Sequence, residues 1–161
     1  MTITNILKKV LTSSGGAFLN VVLQFPEHMI ILSPVINKVR RLVEEAKIAC
    51  RAMCSDKTGE EYEKCFKECM DAKEDEIVKE VAPDFEKAFL VATGVDITAL
   101  VGLLALTHHV KNDTLRSFLY GFGTPYALST LIDAYLAFLF KVCSEEGSKA
   151  MKVFGTRIKF V

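Results

Sequence analysis

A chain of 161 residues with 20 basic and 20 acidic side chains has room for one core and no net charge, which excludes a whole-molecule attraction to nucleic acid or anionic lipid. Half of the residues are hydrophobic, tryptophan is absent and glutamine occurs once, at Gln24. Few thermolabile amides beside plentiful Lys, Glu, Val and Ile is the compositional trend of hyperthermophile proteins, whose intracellular members are the recognised exception to the exclusion of disulfides from reducing cytoplasm.

The N-terminal stretch MTITNILKKVLTSSGGAFLNVVLQF sets two lysines before an apolar run, as a signal peptide does. No small-residue cleavage site follows, so the segment is expected to be retained. The run over 17–36 is interrupted by Pro26, Glu27, His28 and Pro34 and reads as two short helices, with His28 in a helix-start turn. At Ser33 an N-cap followed by Pro34 opens a helix whose apolar stripe is Val35, Ile36, Val39, Leu42, Val43, Ala46, Ala49, Cys50 and Met53. The turn SDKTGEEY follows, and Thr58 with Glu61 forms a capping box for a second helix. That helix carries Tyr62, Cys65, Phe66, Cys69 and Met70 on one face and is predicted to end before Pro83.

Residues 37–87 hold 25 of the 40 formal charges, whereas 88–140 hold five: Asp96, Lys111, Asp113, Arg116 and Asp133. Two apolar runs, Phe89 to Leu106 and Ser117 to Phe140, flank the polar stretch THHVKNDTLR and make an antiparallel helical hairpin. A lone carboxylate at the centre of such a run costs about 2.5–3.5 kcal/mol on membrane-insertion scales. Asp96 and Asp133 are therefore expected to be protonated, to bond Thr93, Thr98, Ser129, Thr130 or Tyr135, or to cap helices where a run breaks, and capping is favoured for Asp96, after a break at Gly94. The tail SKAMKVFGTRIKFV, with Lys149, Lys152, Arg157 and Lys159 and no acidic residue, suits a short strand or hairpin around Gly155 and is a candidate contact for lipid headgroups or nucleic-acid phosphates, as are Lys111 and Arg116. No aromatic stacking pattern for nucleic acid accompanies it.

Four of the five cysteines stand as two Cys-x-x-x-Cys pairs, Cys50/Cys54 and Cys65/Cys69. Residues four apart on a helix share a face, and in an antiparallel hairpin Cys50 with Cys69 and Cys54 with Cys65 have the same midpoint, between Gly59 and Glu60 in the predicted turn. Both rungs are in register, which favours two disulfides, each contributing about 3 kcal/mol by restricting the unfolded chain, the second less because the first already closes the loop. A four-thiolate zinc site is the rival reading, although such sites use tighter Cys-x-x-Cys knuckles. The redox reading ranks below it. Cys143 is left over, either as a small buried hydrophobe or as a bridge between subunits. The spacing resembles the twin Cys-x-x-x-Cys helical hairpin of small mitochondrial intermembrane-space chaperones. That resemblance covers about 20 residues and implies the same connectivity, with no carry-over of chaperone function.

No Gly-rich phosphate loop, nucleophile elbow or His-Glu-x-x-His motif is present, and adjacent His108 and His109 point about 100° apart on a helix. No catalytic, cofactor or metal residue is therefore assigned, and no small-molecule substrate. The predicted fold is an all-α bundle of six to eight helices in one domain, 1–161. Its sub-regions are apolar N-terminal helices (1–33), a charged, disulfide-clasped hairpin (34–82), an apolar hairpin (83–146, helices about 88–142) and a basic tail (147–161). Helices apolar around most of their circumference need cover from protein or lipid. The first functional expectation is a non-enzymatic structural subunit that assembles with copies of itself, as in a virus coat or pilus of a hyperthermophilic archaeon. Two hydrophobic helices joined by a short basic loop resemble the pilins of conjugation and type IV secretion systems over residues 88–142, the clasped hairpin being a departure. The alternatives are a small integral membrane protein with two spans and a soluble helical adaptor or chaperone-like dimer. A membrane-associated location or an extracellular assembly fits the first two.

Overall fold

In the computed structural model residues 3–147 are described, and side chains from Lys9 onward. They form three α-helices: α1 (Ile3–Met53), α2 (Glu60–His109) and α3 (Asp113–Glu146). The fold is all-α with two helical hairpins, as expected. The helix number is not, because elements expected to be separate are fused. Pro26 and Pro34 lie inside α1, Pro83 inside α2 and Pro125 inside α3. Ser33 and Pro34 therefore do not start a helix, and α2 does not end before Pro83. An interior proline removes one backbone hydrogen bond and costs about 3 kcal/mol, but its fixed φ suits a helix, and long packed helices absorb the loss. At the start of α2, Gly59 takes a positive φ of 60° and its carbonyl accepts from the Glu63 N–H at 3.2 Å, so the helix opens just after the Thr58 position expected to cap it.

The chain divides into two compact units, each drawing on all three helices. Unit 2 comprises 32–88 and the chain from Ala137 onward. Here α1 and α2 run antiparallel around a core of Val43, Ala46, Cys50, Met70, Ile77 and Val81. The buried stripe on α1 is narrower than the sequence reading, since Ile36, Ala49 and Met53 are exposed. Cys50 is joined to Cys69 and Cys54 to Cys65, the pairs that share the turn's midpoint. Lys38 bonds Asp84 at 2.8 Å and lies 3.5 Å from Glu80. The Asp84 carboxylate holds the Lys38 ammonium above the usual lysine range. This contribution is thus fully present below that range and is lost only as pH climbs through the raised value. Phe85 of α2 stacks on Phe140 of α3 with centroids 4.6 Å apart. Gly147, at φ 70°, closes α3 with its N–H on the Cys143 carbonyl at 2.8 Å. Cys143 is fully buried, in keeping with its reading as a small hydrophobe.

Unit 1 comprises the chain up to Ile31 and Phe89–Leu136. The turn between α2 and α3 is built by two polar side chains. Asn112 Oδ1 accepts from the N–H groups of Thr114 and Leu115 at 2.9 and 3.1 Å, capping α3. Arg116 donates from Nε and Nη2 to the Val110 carbonyl at 3.1 and 2.7 Å. Where α1 crosses α3, glycine is required on both sides. A Cβ on Gly16 would strike the Phe118 carbonyl oxygen, and one on Gly121 the Ser13 carbonyl oxygen. Backbones that approach this closely are a packing mode of helices in lipid, where small residues replace a hydrophobic driving force.

Removing the outer clasp rung in the double variant Cys50→Ser, Cys69→Ser is expected to cost about 2–4 kcal/mol. Chemical denaturation followed by helical circular dichroism measures it, and an unchanged midpoint would contradict the clasp's role.

Candidate functional site: a histidine and two buried carboxylates

The residues that stand out by physics are in unit 1. Among the described residues, the five buried polar ones, Asn20, Gln24, Asp96, Thr107 and Asp133, are all there. Of the described buried hydrophobic residues, only Phe89, Ala92 and Leu119 lie in unit 1, and the remainder are in unit 2. Outward, unit 1 presents large apolar side chains from every helix, among them Phe18 (73% exposed), Ile30 (74%), Val101 (60%) and Leu131 (69%). This inverts the usual arrangement of a water-soluble domain.

Three helices deliver the polar cluster. On α1, Gln24 and His28 stand one turn apart. On α3, Ser129 and Asp133 do the same, and α2 supplies Asp96. His28 Nδ1 lies 3.1 Å from the Gln24 carbonyl oxygen. A carbonyl can only accept, so Nδ1 carries the hydrogen and the ring orientation is fixed. His28 Nε2 then faces Asp133 Oδ2 at 2.9 Å, with the Ser129 hydroxyl 3.3 Å from Nε2 and 3.4 Å from that same Oδ2. The Gln24 side-chain amide donates to Asp96 Oδ1 at 3.4 Å. Asp96 is completely buried, and its Oδ2 has no hydrogen-bond partner. His28, Asp96 and Asp133 each offer a ligating atom, and these atoms lie within 4.8 Å of one another.

Chemically, this is a negative site that demands a positive charge. A neutral imidazole nitrogen and a carboxylate oxygen would each direct a lone pair at the other across 2.9 Å, so a proton or a cation belongs between them. Two carboxylates so far from water are affordable only when compensated. The donor set of one imidazole and two carboxylates can hold either.

The sequence-predicted positions fall elsewhere or play other parts. His28 lies within α1 rather than at a helix start. Asp96 lies within α2, which continues unbroken through Gly94, so it is not an N-cap, and its carboxylate accepts from Gln24 of α1 in place of backbone N–H groups. Asp133 does meet Ser129. Lys111 is exposed in the α2–α3 turn, and Arg116 is occupied with capping that turn. His108 and His109 are exposed at the end of α2 with rings 5.7 Å apart. Lys149, Lys152, Arg157, Lys159 and the expected hairpin around Gly155 lie outside the described residues. The signal missed in the sequence was the pairing of polar residues four apart inside apolar runs, Gln24 with His28 and Ser129 with Asp133. Comparison of the chain with protein families, with curated proteins and with solved structures finds no match.

His28→Leu leaves Asp133 buried without its imidazole partner and is expected to destabilise the protein by about 3–5 kcal/mol, whereas His28→Leu combined with Asp133→Leu costs less than either single change. Denaturation of the four members of this cycle checks it, and additive losses would contradict a coupled pair.

Proposed function

We propose that this chain is a non-enzymatic integral membrane subunit with three spans. The observation that carries the reading is the inverted distribution in unit 1, polar side chains inside and large apolar ones outside on all three helices. Each helix is long and apolar enough to cross a membrane, and a bilayer core of about 30 Å needs about 20 apolar residues. The formal charges agree. Between Lys9 and Lys38 there is one, Glu27; between Lys87 and Lys111 one, Asp96; between Arg116 and Lys141 one, Asp133. Three spans replace the two of the sequence-based alternative because the first apolar stretch is continuous through its prolines. With three crossings, the segment 32–88 that carries the disulfides emerges on one side and the 110–112 turn on the other.

The second reading is self-assembly, in which copies of the chain share the cover with lipid, as in a virion or a conjugation-type pilus of a hyperthermophilic archaeon. The observation favouring it is a contiguous apolar stripe exposed on α1 of unit 2, Ile48, Ala49, Ala52 and Met53. These residues stand beyond the three low-charge stretches, where protein rather than acyl chains would have to cover them.

In a Cys143→Ala background, reporter cysteines at Glu44 and Lys111 test the topology. In sealed vesicles a membrane-impermeant maleimide is expected to label one of the two and to label both after permeabilisation. Labelling of both in sealed vesicles would contradict an odd number of crossings between them.

A further inference from the structure

We infer that His28, Asp96 and Asp133 bind a divalent first-row transition-metal ion of the Zn2+ class. The inference goes beyond the membrane reading and holds whether lipid or neighbouring copies cover unit 1. It rests on four observations. The ligating atoms come from three different helices and already lie within 4.8 Å of one another. Metal bonds of about 2.0–2.2 Å to nitrogen and oxygen require side-chain adjustments on the order of 1 Å from there. His28 is prepared as a ligand, because the bond from Nδ1 to the Gln24 carbonyl leaves the Nε2 lone pair directed into the cluster. Such an outer-sphere bond is characteristic of metal-binding histidines. Asp96 is prepared in the same way, with Oδ1 held by the Gln24 amide and the buried Oδ2 free of any partner. Finally, a divalent ion with two carboxylates and a neutral imidazole makes an uncharged unit, the form that a buried site among apolar helices requires.

The donor set selects among cations. An imidazole ligand suits Zn2+, Fe2+, Co2+ or Ni2+, whereas Mg2+ and Ca2+ favour all-oxygen shells with more ligands than this cluster offers. Ser129, with its hydroxyl 3.3 Å from Nε2 and 3.4 Å from Asp133 Oδ2, stands where it can complete or orient the shell. Gln24, the one glutamine of the chain, is a positioning residue that holds two of the three ligands by opposite ends of the same residue.

The test uses full-length, tag-free protein stripped of metal and titrated with Zn2+ against a chromophoric chelator, and with Co2+ read by visible absorption. One Zn2+ per chain is expected. His28→Gln, Asp96→Asn and Asp133→Asn should each weaken binding by at least about tenfold, and Gln24→Ala by about tenfold to a hundredfold. The double variant His108→Ala, His109→Ala should bind as the native chain does. Absence of stoichiometric Zn2+ binding by the native protein overturns the inference and leaves a proton as the compensating charge. Loss of binding with His108 and His109, but not with His28, also overturns it. Should a ligand variant fail to retain helical circular dichroism, the native Co2+ spectrum decides: mixed nitrogen and oxygen ligation supports the site, and thiolate or all-water ligation overturns it.

Discussion

The interaction on which unit 1 depends is the one between His28 of α1 and Asp133 of α3, 2.9 Å apart, with the histidine half-buried and the carboxylate almost wholly out of water. An apolar exterior denies polar side chains a solvent, so each must meet a partner on another helix or remain costly. Gln24, Asp96 and Ser129 join the same cluster, and Asn20 donates across to the Phe122 carbonyl at 2.6 Å. The contacts that orient the helices of this unit are therefore polar or backbone-to-backbone. The close approach at Gly16 and Gly121 brings α1 and α3 together where side chains could not interdigitate.

Unit 2 solves the opposite problem. It carries most of the charge, on its outer faces, and uses a conventional apolar seam of Val43, Ala46, Met70, Ile77 and Val81. At the turn end only α1 and α2 meet, and the two disulfides there add stability by limiting the freedom of the unfolded chain. All three helices thus contribute to both units, and the shift of charge along the sequence marks the change.

Much of this was legible in the sequence. The clasp's connectivity could be read because a turn signal and two cysteine pairs agree on one midpoint, and the α2–α3 turn because polar residues separate two apolar runs. The helix count could not. Pro26, Pro34 and Pro83 each argue for a boundary by local rules, and only the long packed helices on either side outweigh that preference. The candidate site was hidden for a different reason. His28 lies 105 residues from Asp133, and Gln24 lies 72 from Asp96, so nothing local connects them. Read alone, each carboxylate looked like a cap or an anomaly. Only the return of α2 antiparallel to α1, and of α3 parallel to it, turns three isolated polar residues into one cluster.

The central claim is that the outer surface of unit 1 faces acyl chains. The chain has no tryptophan, so a single one introduced at Phe18 or Leu131, both widely exposed, supplies a sole reporter in vesicles whose lipids carry brominated acyl chains. Strong quenching is expected at Phe18→Trp and Leu131→Trp and little at Ile48→Trp, which lies in the clasped unit. Equal, weak quenching at all three positions would contradict lipid as the cover and leave protein neighbours in that role.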